Sequence, residues 1–595
     1  MNFALTKKTL YRSTLFIFTA VLFFSCQKEF SIDNGNAVLL PDLKTKISSS
    51  VSGFVTDEND AAVKGATVQF GTSTISTDKY GYFEAKNVQV VKDAAVVTVS
   101  KTGYFKGIKT YMAKEGKAAF FRIKLIPKTN VGNINSTAGG TITLANGLSI
   151  ALPAGAVVNA ATNAAYTGTV NVSAFWINPE AADLDKIMPG DLRGIDKDGS
   201  MKLLKTFGMA AVELTGASGE LLQITAGKKA ILTLSIPASL SASAPASIPL
   251  WYFDEANGLW KEEGAAIKTG NTYVGDVSHF SFWNYDTPAN YVQFNCTVKD
   301  ASGNPIPYIF VKISVVGTYN AAWGYTDASG YVAGPVPNNA QLLLEVFPLS
   351  YCGTPVYSQQ FTTTNVNISL GTITIAAGFI TTVSGTVTDC SNNPVTNGDI
   401  IMFNSGLHRY PVNSNGSFSF STLICGSSIP VTLIAEDQAA QQQSAQLNTN
   451  LVVGANNVGN LQACNISNAE FIHYSIDGTN YSFTMPVDSI NMYSGSISTP
   501  IIIINGGRIG GTINDAVYMT IDGQGIGVNS LQPLNSFYAS QLAPATIQNN
   551  INVLITEYGI VNEFVSGNFS GILTENAAPN TTHNVTCSFR VRRTF

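Results

Sequence analysis

Four histidines, His279, His408, His473 and His583, are all that this 595-residue chain offers for proton transfer near neutral pH or for imidazole ligation of zinc. A zinc peptidase needs two histidines one helical turn apart with a glutamate beside them, and none of the four has a second His or a Glu at that spacing. A serine hydrolase places its nucleophile at the centre of Gly-x-Ser-x-Gly, but in Gly567-Asn568-Phe569-Ser570-Gly571 the serine comes one place late. Gly523-Gln524-Gly525-Ile526-Gly527 lacks dinucleotide spacing and has no helix behind it to face a phosphate, so its glycines read as turns or bulges. Asp196-Lys197-Asp198-Gly199 opens like a calcium loop, yet Phe207 stands where the bidentate carboxylate is required, which leaves a hairpin turn. The remaining acids could pair across strands as in a glycosidase, but nothing in the sequence singles out two of them. The expectation is a protein that is not an enzyme, with no metal site and no cofactor.

The cysteines carry different chemistry. Lys7, Lys8 and Arg12 precede an apolar run from Leu15 to Phe24 that is too short to span a bilayer comfortably, the layout of an export signal. The run ends in Phe23-Phe24-Ser25-Cys26, which resembles a bacterial lipobox; the resemblance implies removal of residues 1–25, a lipid thioether on Cys26 and anchoring to the outer membrane. Gln27-Lys28-Glu29-Phe30 resembles the surface-export signal of Bacteroidota lipoproteins and implies a cell-surface location, with 26–47 expected as a flexible linker. Six further cysteines, Cys296, Cys352, Cys390, Cys425, Cys464 and Cys587, are expected to form disulfides in an oxidising compartment, with 15 pairings open.

The elements that must hold any site are strands. Apolar residues make up 45% of the chain and charged ones 12%, a composition for packed cores and not for disorder. The length is too great for one core and predicts four to five domains. The net charge of −5, without basic clusters, excludes nucleic acid as a partner. Short alternating runs such as Val68-Gln69-Phe70, Val97-Thr98-Val99 and Ile231-Leu232-Thr233-Leu234, bounded by Gly, Asn, Asp and Pro, predict an all-β fold. Gln438 to Gln446 is the most helix-like stretch but lacks an apolar stripe, so a loop or edge segment is expected there.

A repeat emerges when the turns are aligned. Val51-Ser52-Gly53-Phe54-Val55-Thr56-Asp57 recurs as Val383-Ser384-Gly385-Thr386-Val387-Thr388-Asp389 and, more loosely, as Asn295-Cys296-Thr297-Val298-Lys299-Asp300. Downstream turns at Asp78-Lys79-Tyr80-Gly81, Asp327-Ala328-Ser329-Gly330 and Asn413-Ser414-Asn415-Gly416 are each followed by aromatics expected to point into a sandwich. These residues resemble the carboxypeptidase regulatory-like domain, a transthyretin-like β-sandwich, at 48–127, 289–376 and 377–464. In that family the module is an accessory without peptidase residues, so the resemblance implies no protease.

Between the first two copies, 128–288 carries Gly139-Gly140-Thr141-Ile142, Leu152-Pro153-Ala154-Gly155 and His279-Phe280-Ser281-Phe282-Trp283-Asn284. These resemble the module of netrin receptors and ankyrins and its counterpart in cartilage intermediate layer proteins. Trp251, Trp260 and Trp283 on its short strands are expected in the core. His279-Phe280-Ser281 matches the tripeptide at which some relatives of the netrin-receptor module cut themselves. The resemblance implies His279 as base, Ser281 as nucleophile and Phe280-Ser281 as the scissile bond, against an ordinary intact strand. A last β-domain, 465–595, opens with the hairpin signal Ile476-Asp477-Gly478-Thr479-Asn480-Tyr481. Together these features predict a lipid-anchored rod of sandwiches whose end loops bind a glycan or protein partner, with a structural stalk or assembly component and a self-cleaving module as alternatives. Glycan binding would require exposed Trp or Tyr on a flat surface, and Trp176 and Trp323 are the first residues to inspect.

Overall fold

A computed structural model describes residues 41–593 except 319–320, 349–352, 405, 465, 468, 486–487, 495–500, 509–515, 548–550, 560–563 and 577. The signal segment, Cys26, Gln27 to Phe30 and Cys352 lie outside the described residues. The chain is all-β, with only short helical turns such as Leu184–Ile187 and Ala238–Ser241.

The first sandwich is built from β1 (Lys46–Thr56), β2 (Thr67–Phe70), β3 (Ser73–Ser76), β4 (Tyr82–Val91), β5 (Ala95–Ser100), β6 (Gly107–Tyr111) and β7 (Ala118–Lys124). Strand β1 pairs antiparallel with β4 and parallel with β7, and the order β3-β2-β5-β6 forms the opposite layer. The same wiring returns twice: Tyr291–Lys299 lies between Tyr331–Pro337 and Ile368–Thr374, and Ile380–Thr388 lies between Ser417–Leu423 and Gly454–Gln462. Local chemistry fixes the wiring. Asp57, Asp300 and Asp389 each turn the chain by accepting two backbone N–H groups, two and four residues on, at 2.8–2.9 Å. In the next turn Gly81, Gly330 and Gly416 have φ of 71°, 75° and 79°. A Cβ there would sit 2.3, 2.3 and 2.8 Å from the carbonyls of Val55, Val298 and Val387, so only glycine fits.

The aromatics after these glycines divide by the pleat. Phe83 and Phe418 fill their cores, whereas Tyr82 and Tyr331, directly after Gly81 and Gly330, are half-buried on the outer face under Arg409 and under Lys114 and Lys117. The expectation that all point inward fails because successive side chains alternate sides.

Residues 130–289 form a 13-stranded sheet system around two apolar clusters. One holds Trp283; the other holds Trp251 and Trp260 together with Phe105, Ile108 and Ile126 of the first sandwich. The C-terminal residues from Phe471 onward make a 10-stranded antiparallel sheet folded into two layers, because the strand Leu531–Ala539 pairs with Asn552–Tyr558 at its start and with Ala516–Asp522 after a bulge. Gln438 to Gln446 is a turn and the two-residue strand Gln442–Gln443.

The sandwiches are not strung as a rod. The first one touches every other part of the described chain: Thr110 Oγ1 donates to Gly258 O at 2.6 Å, Phe120 stacks on Tyr308 at 4.7 Å, Arg409 Nη1 donates to Asp78 at 2.7 Å, and Lys64 pairs with Glu470. Residues 41–47 also depart from a free linker, since Leu43 packs against the cluster of Ala94, Met201, Leu259 and Tyr291, and β1 already starts at Lys46. These contacts join residues far apart in sequence, where no periodicity reaches.

Of the six cysteines expected as disulfide partners, two are free. Cys390 and Cys464 form a disulfide that ties the first strand of the third copy to its last, and Cys425 is also disulfide-bonded. Cys296 and Cys587 are free thiols, each on a central strand facing an apolar core. Burial pushes the Cys296 thiol up to about 12 and raises Cys587 likewise, so both are packing residues and not disulfide partners.

Candidate functional site

The outward face of the C-terminal sheet gathers exposed aromatics. Four antiparallel strands run side by side: Asp488–Ser494, Ile501–Arg508, Ala516–Asp522 and Leu531–Ala539. Each alternates, with one bulge at Asn535 and Ser536 in the last. Ile490, Met492, Ile502, Ile504, Val517, Met519, Phe537 and Ala539 go to the core, which sends Asn491, Tyr493, Ile503, Asn505, Tyr518, Thr520, Ser536 and Tyr538 to the other side.

The register then lines them up. Asn491, Asn505, Tyr518 and Tyr538 are cross-strand partners in one row, and Tyr493, Ile503, Thr520 and Ser536 in the next. Tyr518 and Tyr538 lie directly opposite each other, where Cβ atoms are about 5 Å apart, and Tyr493 lies two strands away from Tyr518, about 10 Å across the sheet. Tyr493 is 41% exposed and Tyr538 42%. Partial burial, then the neighbouring Tyr518, raise the Tyr493 phenol, while a hydrogen bond with Asn505 opposes them. Thr520 and Ser536 share a hydroxyl hydrogen bond at 2.6 Å. Rings interleaved with amides and hydroxyls on one sheet face can stack on apolar faces of a ligand and hydrogen-bond its hydroxyls at the same time.

The two tryptophans singled out by sequence are elsewhere and half-buried: Trp176 packs against the cluster around Trp283, and Trp323 against the cluster around Trp251. Alternation around Ile502, Ile504, Val517 and Met519 marks the strands that carry the tyrosines, but their alignment depends on register, which sequence does not supply.

His279-Phe280-Ser281 lies between the strands Thr272–Val277 and Phe282–Ala289. The Gln223 side chain grips Phe280 on both sides, accepting its N–H at 2.7 Å and donating to its carbonyl at 3.0 Å. Ser281 Oγ donates to Phe282 O at 3.1 Å, away from His279, whose ring lies edge-on to Tyr252 at 4.7 Å. Burial lowers the His279 imidazole, with Glu263 opposing. The other histidines have separate surroundings: His408 is buried beside Arg122 and held far below its usual range first by burial and then by that guanidinium, His473 stacks on Phe471 at 4.4 Å, and His583 bonds Asp477 at 2.7 Å. Asp196 turns the chain by accepting N–H groups from Asp198 and Ser200, with Gly199 at φ 82°. Among the described residues no group of three His, Cys, Asp or Glu could hold a metal ion, and no helix is long and apolar enough to cross a membrane.

No protein family model matches the chain. It is similar to cartilage intermediate layer protein 2 of Homo sapiens, 29% identical over 123 residues that cover 21% of this chain and 10% of that protein. The Mus musculus protein is 30% identical over 105 residues, covering 18% and 9%. The chain thus spans about a tenth of the length of the curated relatives it matches. Among solved structures, the shaft pilin spaA of Lactobacillus rhamnosus GG aligns with 29% of this chain and 98% of its own at 9% identity and a TM-score of 0.18. The Bacillus anthracis TIE protein aligns with 71% and 50% at 9% identity and a TM-score of 0.14. These likenesses assign neither a family nor an activity.

Proposed function

We propose that this chain is a non-enzymatic surface protein, tethered to the outer membrane through lipid on Cys26, that binds a polysaccharide across the tyrosine face of its C-terminal sandwich. The reading is carried by the facing pair Tyr518 and Tyr538 with Tyr493 and Asn505 beside them, Tyr493 and Tyr538 exposed and Tyr518 half-buried, on a sheet whose apolar residues are buried on its other side. A row of rings on one sheet face suits an extended chain, in which several sugar rings can lie over several tyrosines at once. Rigid strands keep the rings in place without a cost in loop ordering.

A polysaccharide array probed with the full chain tests this. Binding to at least one glycan, reduced in Tyr518→Ala and Tyr538→Ala, supports it; no binding to any polysaccharide, or binding indifferent to both substitutions, overturns it. The anchor has its own test, since Cys26→Ala should release the protein from membranes into the soluble fraction.

The alternative of a structural or assembly component draws on a different observation. Lys64 with Glu470, Lys79 with Glu436 and Arg409 with Asp78 and Asp399 link the first, third and C-terminal sandwiches through largely buried ion pairs, which set how these parts dock on one another.

A further inference from the structure

The first and third repeats share an edge strand and differ in what covers it. In the first repeat the edge is β6, and the middle module lies on it: Ile108 O accepts the N–H of Gly190 at 3.1 Å, and Thr110 Oγ1 donates to Gly258 O at 2.6 Å. In the third repeat the equivalent edge is Leu447–Val452, which pairs only with Ser428–Asp437.

The register shows which backbone groups are left over. Val453 N donates to Ser427 O at 3.2 Å, so in the same register Leu451, Thr449 and Leu447 bond the inner strand. Val452, Asn450 and Asn448 therefore turn their N–H and C=O groups away from it, toward the open side. Val452 is closed off by its own chain, because the Asn456 amide accepts its N–H at 2.9 Å and donates to its carbonyl at 2.8 Å. Asn450 and Asn448 have no such cap, and among the described residues nothing bonds their outward N–H and C=O groups. Both side chains are exposed beside an open groove of about 340 Å³ that Phe403, Pro430 and Thr432 also line.

An edge of this kind is ordinarily guarded by a lysine, a proline or a bulge, because bare N–H and C=O groups template pairing with another chain. This one has no guard. The strand runs without a register shift, and residues 438–469 contain no Asp, Glu, Lys, Arg or His. Its sequence is also symmetric, since Leu447-Asn448-Thr449-Asn450-Leu451 reads the same in both directions.

Symmetry selects the occupant. Two such strands laid antiparallel about a two-fold axis through Thr449 set Leu447 opposite Leu451, Asn448 opposite Asn450 and Thr449 opposite itself. Each Asn pair then falls at a hydrogen-bonded position and exchanges both backbone bonds, with the threonines at the non-hydrogen-bonded position between them. Primary amides complement one another in the same way. Thr432 Oγ1 donates to Asn448 Oδ1 at 2.6 Å, which leaves the Asn448 NH2 group to donate to the Asn450 amide oxygen across the axis. No charge stands there to repel its own image. We infer that two molecules of this chain associate edge to edge through residues 447–451, joining their third repeats into one continuous sheet across a two-fold axis. The contact is separate from the tyrosine face and does not depend on glycan binding.

Sedimentation velocity of the full chain in mild detergent at about 100 µM, above the micromolar range that so small a contact supports, should show a dimer. Asn448→Lys/Asn450→Lys sets like charges across the axis from two exposed positions, and should sediment as a monomer with an unchanged thermal melt. Cysteine variants read the register. Thr449→Cys brings its sulfur to its own image at a Cα separation of about 4.5 Å, which a disulfide spans, whereas Val452→Cys keeps the two about 20 Å apart. On a non-reducing denaturing gel the band of doubled mass should be about five-fold or more stronger in Thr449→Cys than in Val452→Cys. A monomeric native chain, a dimer that persists in the lysine variant, or equal cross-linking of the two cysteine variants would overturn the inference. Should the lysine variant melt lower than the native chain, the cysteine pair alone decides.

Discussion

Two trios of aromatics sit on strands of similar make, and burial separates them. Trp251, Trp260 and Trp283 of the middle module are 0% exposed, with Trp260 edge-on to Phe253 at 5.3 Å, while Tyr493, Tyr518 and Tyr538 stand on the outer side of a sheet whose inner side is already full. An aromatic residue says nothing about binding until the pleat shows which side it is on. The first trio contributes to stability and the second is free to contribute to recognition.

Removing one of the buried rings should have the largest effect. Trp260→Ala opens a cavity in a cluster shared with Phe105, Ile108 and Ile126 of the first sandwich, and should cost about 3–5 kcal/mol in denaturant unfolding. Because the cluster spans two modules, both should loosen together. A loss below about 1 kcal/mol would mean that the seam tolerates the void and would blur the contrast between the trios.

The same dry interior holds Asp286, fully buried, whose backbone carbonyl accepts from Trp251 Nε1 at 3.1 Å and whose Oδ1 lacks a partner. Burial raises its carboxyl far above the ordinary range, with a hydrogen bond from Thr206 opposing. The folded state therefore keeps a proton that the unfolded chain releases above the ordinary aspartate value of 3.8, so this residue's contribution is fully present below that pH and is lost as pH rises toward the folded value. Asp286→Asn should flatten the stability–pH curve by up to one bound proton over that range; a slope identical to that of the native chain would show the site to be wetter than its geometry.

On the outer trio the balance inverts. Tyr518→Ala and Tyr538→Ala should each weaken glycan binding about tenfold, or about 1.4 kcal/mol, while shifting unfolding by no more than about 0.5 kcal/mol. Calorimetry of binding beside thermal melts separates the two quantities. Equal losses in both would place these rings in the core after all.

Sequence carried the local part of this. The Asp turns, the positive-φ glycines at 81, 330 and 416, the all-β class and the buried tryptophans follow from residue type and spacing, because each is decided within a few residues. What it missed depends on pairing at a distance. The tyrosine row requires the register of four strands, the free state of Cys296 and Cys587 requires knowing which core each faces, and the central place of the first sandwich rests on Lys64 meeting Glu470 and Asp78 meeting Arg409. A one-residue slip would have turned Tyr518 inward and Met519 outward.

The smallest effect belongs to Ser281, two residues before Trp283, whose Nε1 donates to His279 O at 2.9 Å, so the tripeptide is fastened to the buried tryptophan. Self-cleavage would need Ser281 Oγ aimed at the Phe280 carbonyl and a base to take its proton. The hydroxyl instead donates to Phe282 O, and Gln223 holds the Phe280 peptide at both its N–H and its carbonyl, a grip that resists the twist an acyl shift requires. The native chain and Ser281→Ala should therefore run as the same full-length band on a denaturing gel. Two fragments from the native chain that rejoin into one band in Ser281→Ala would show that the Gln223 amide at the Phe280 carbonyl acts as a donor to a developing oxyanion, and the buried region would then hold chemistry as well as packing.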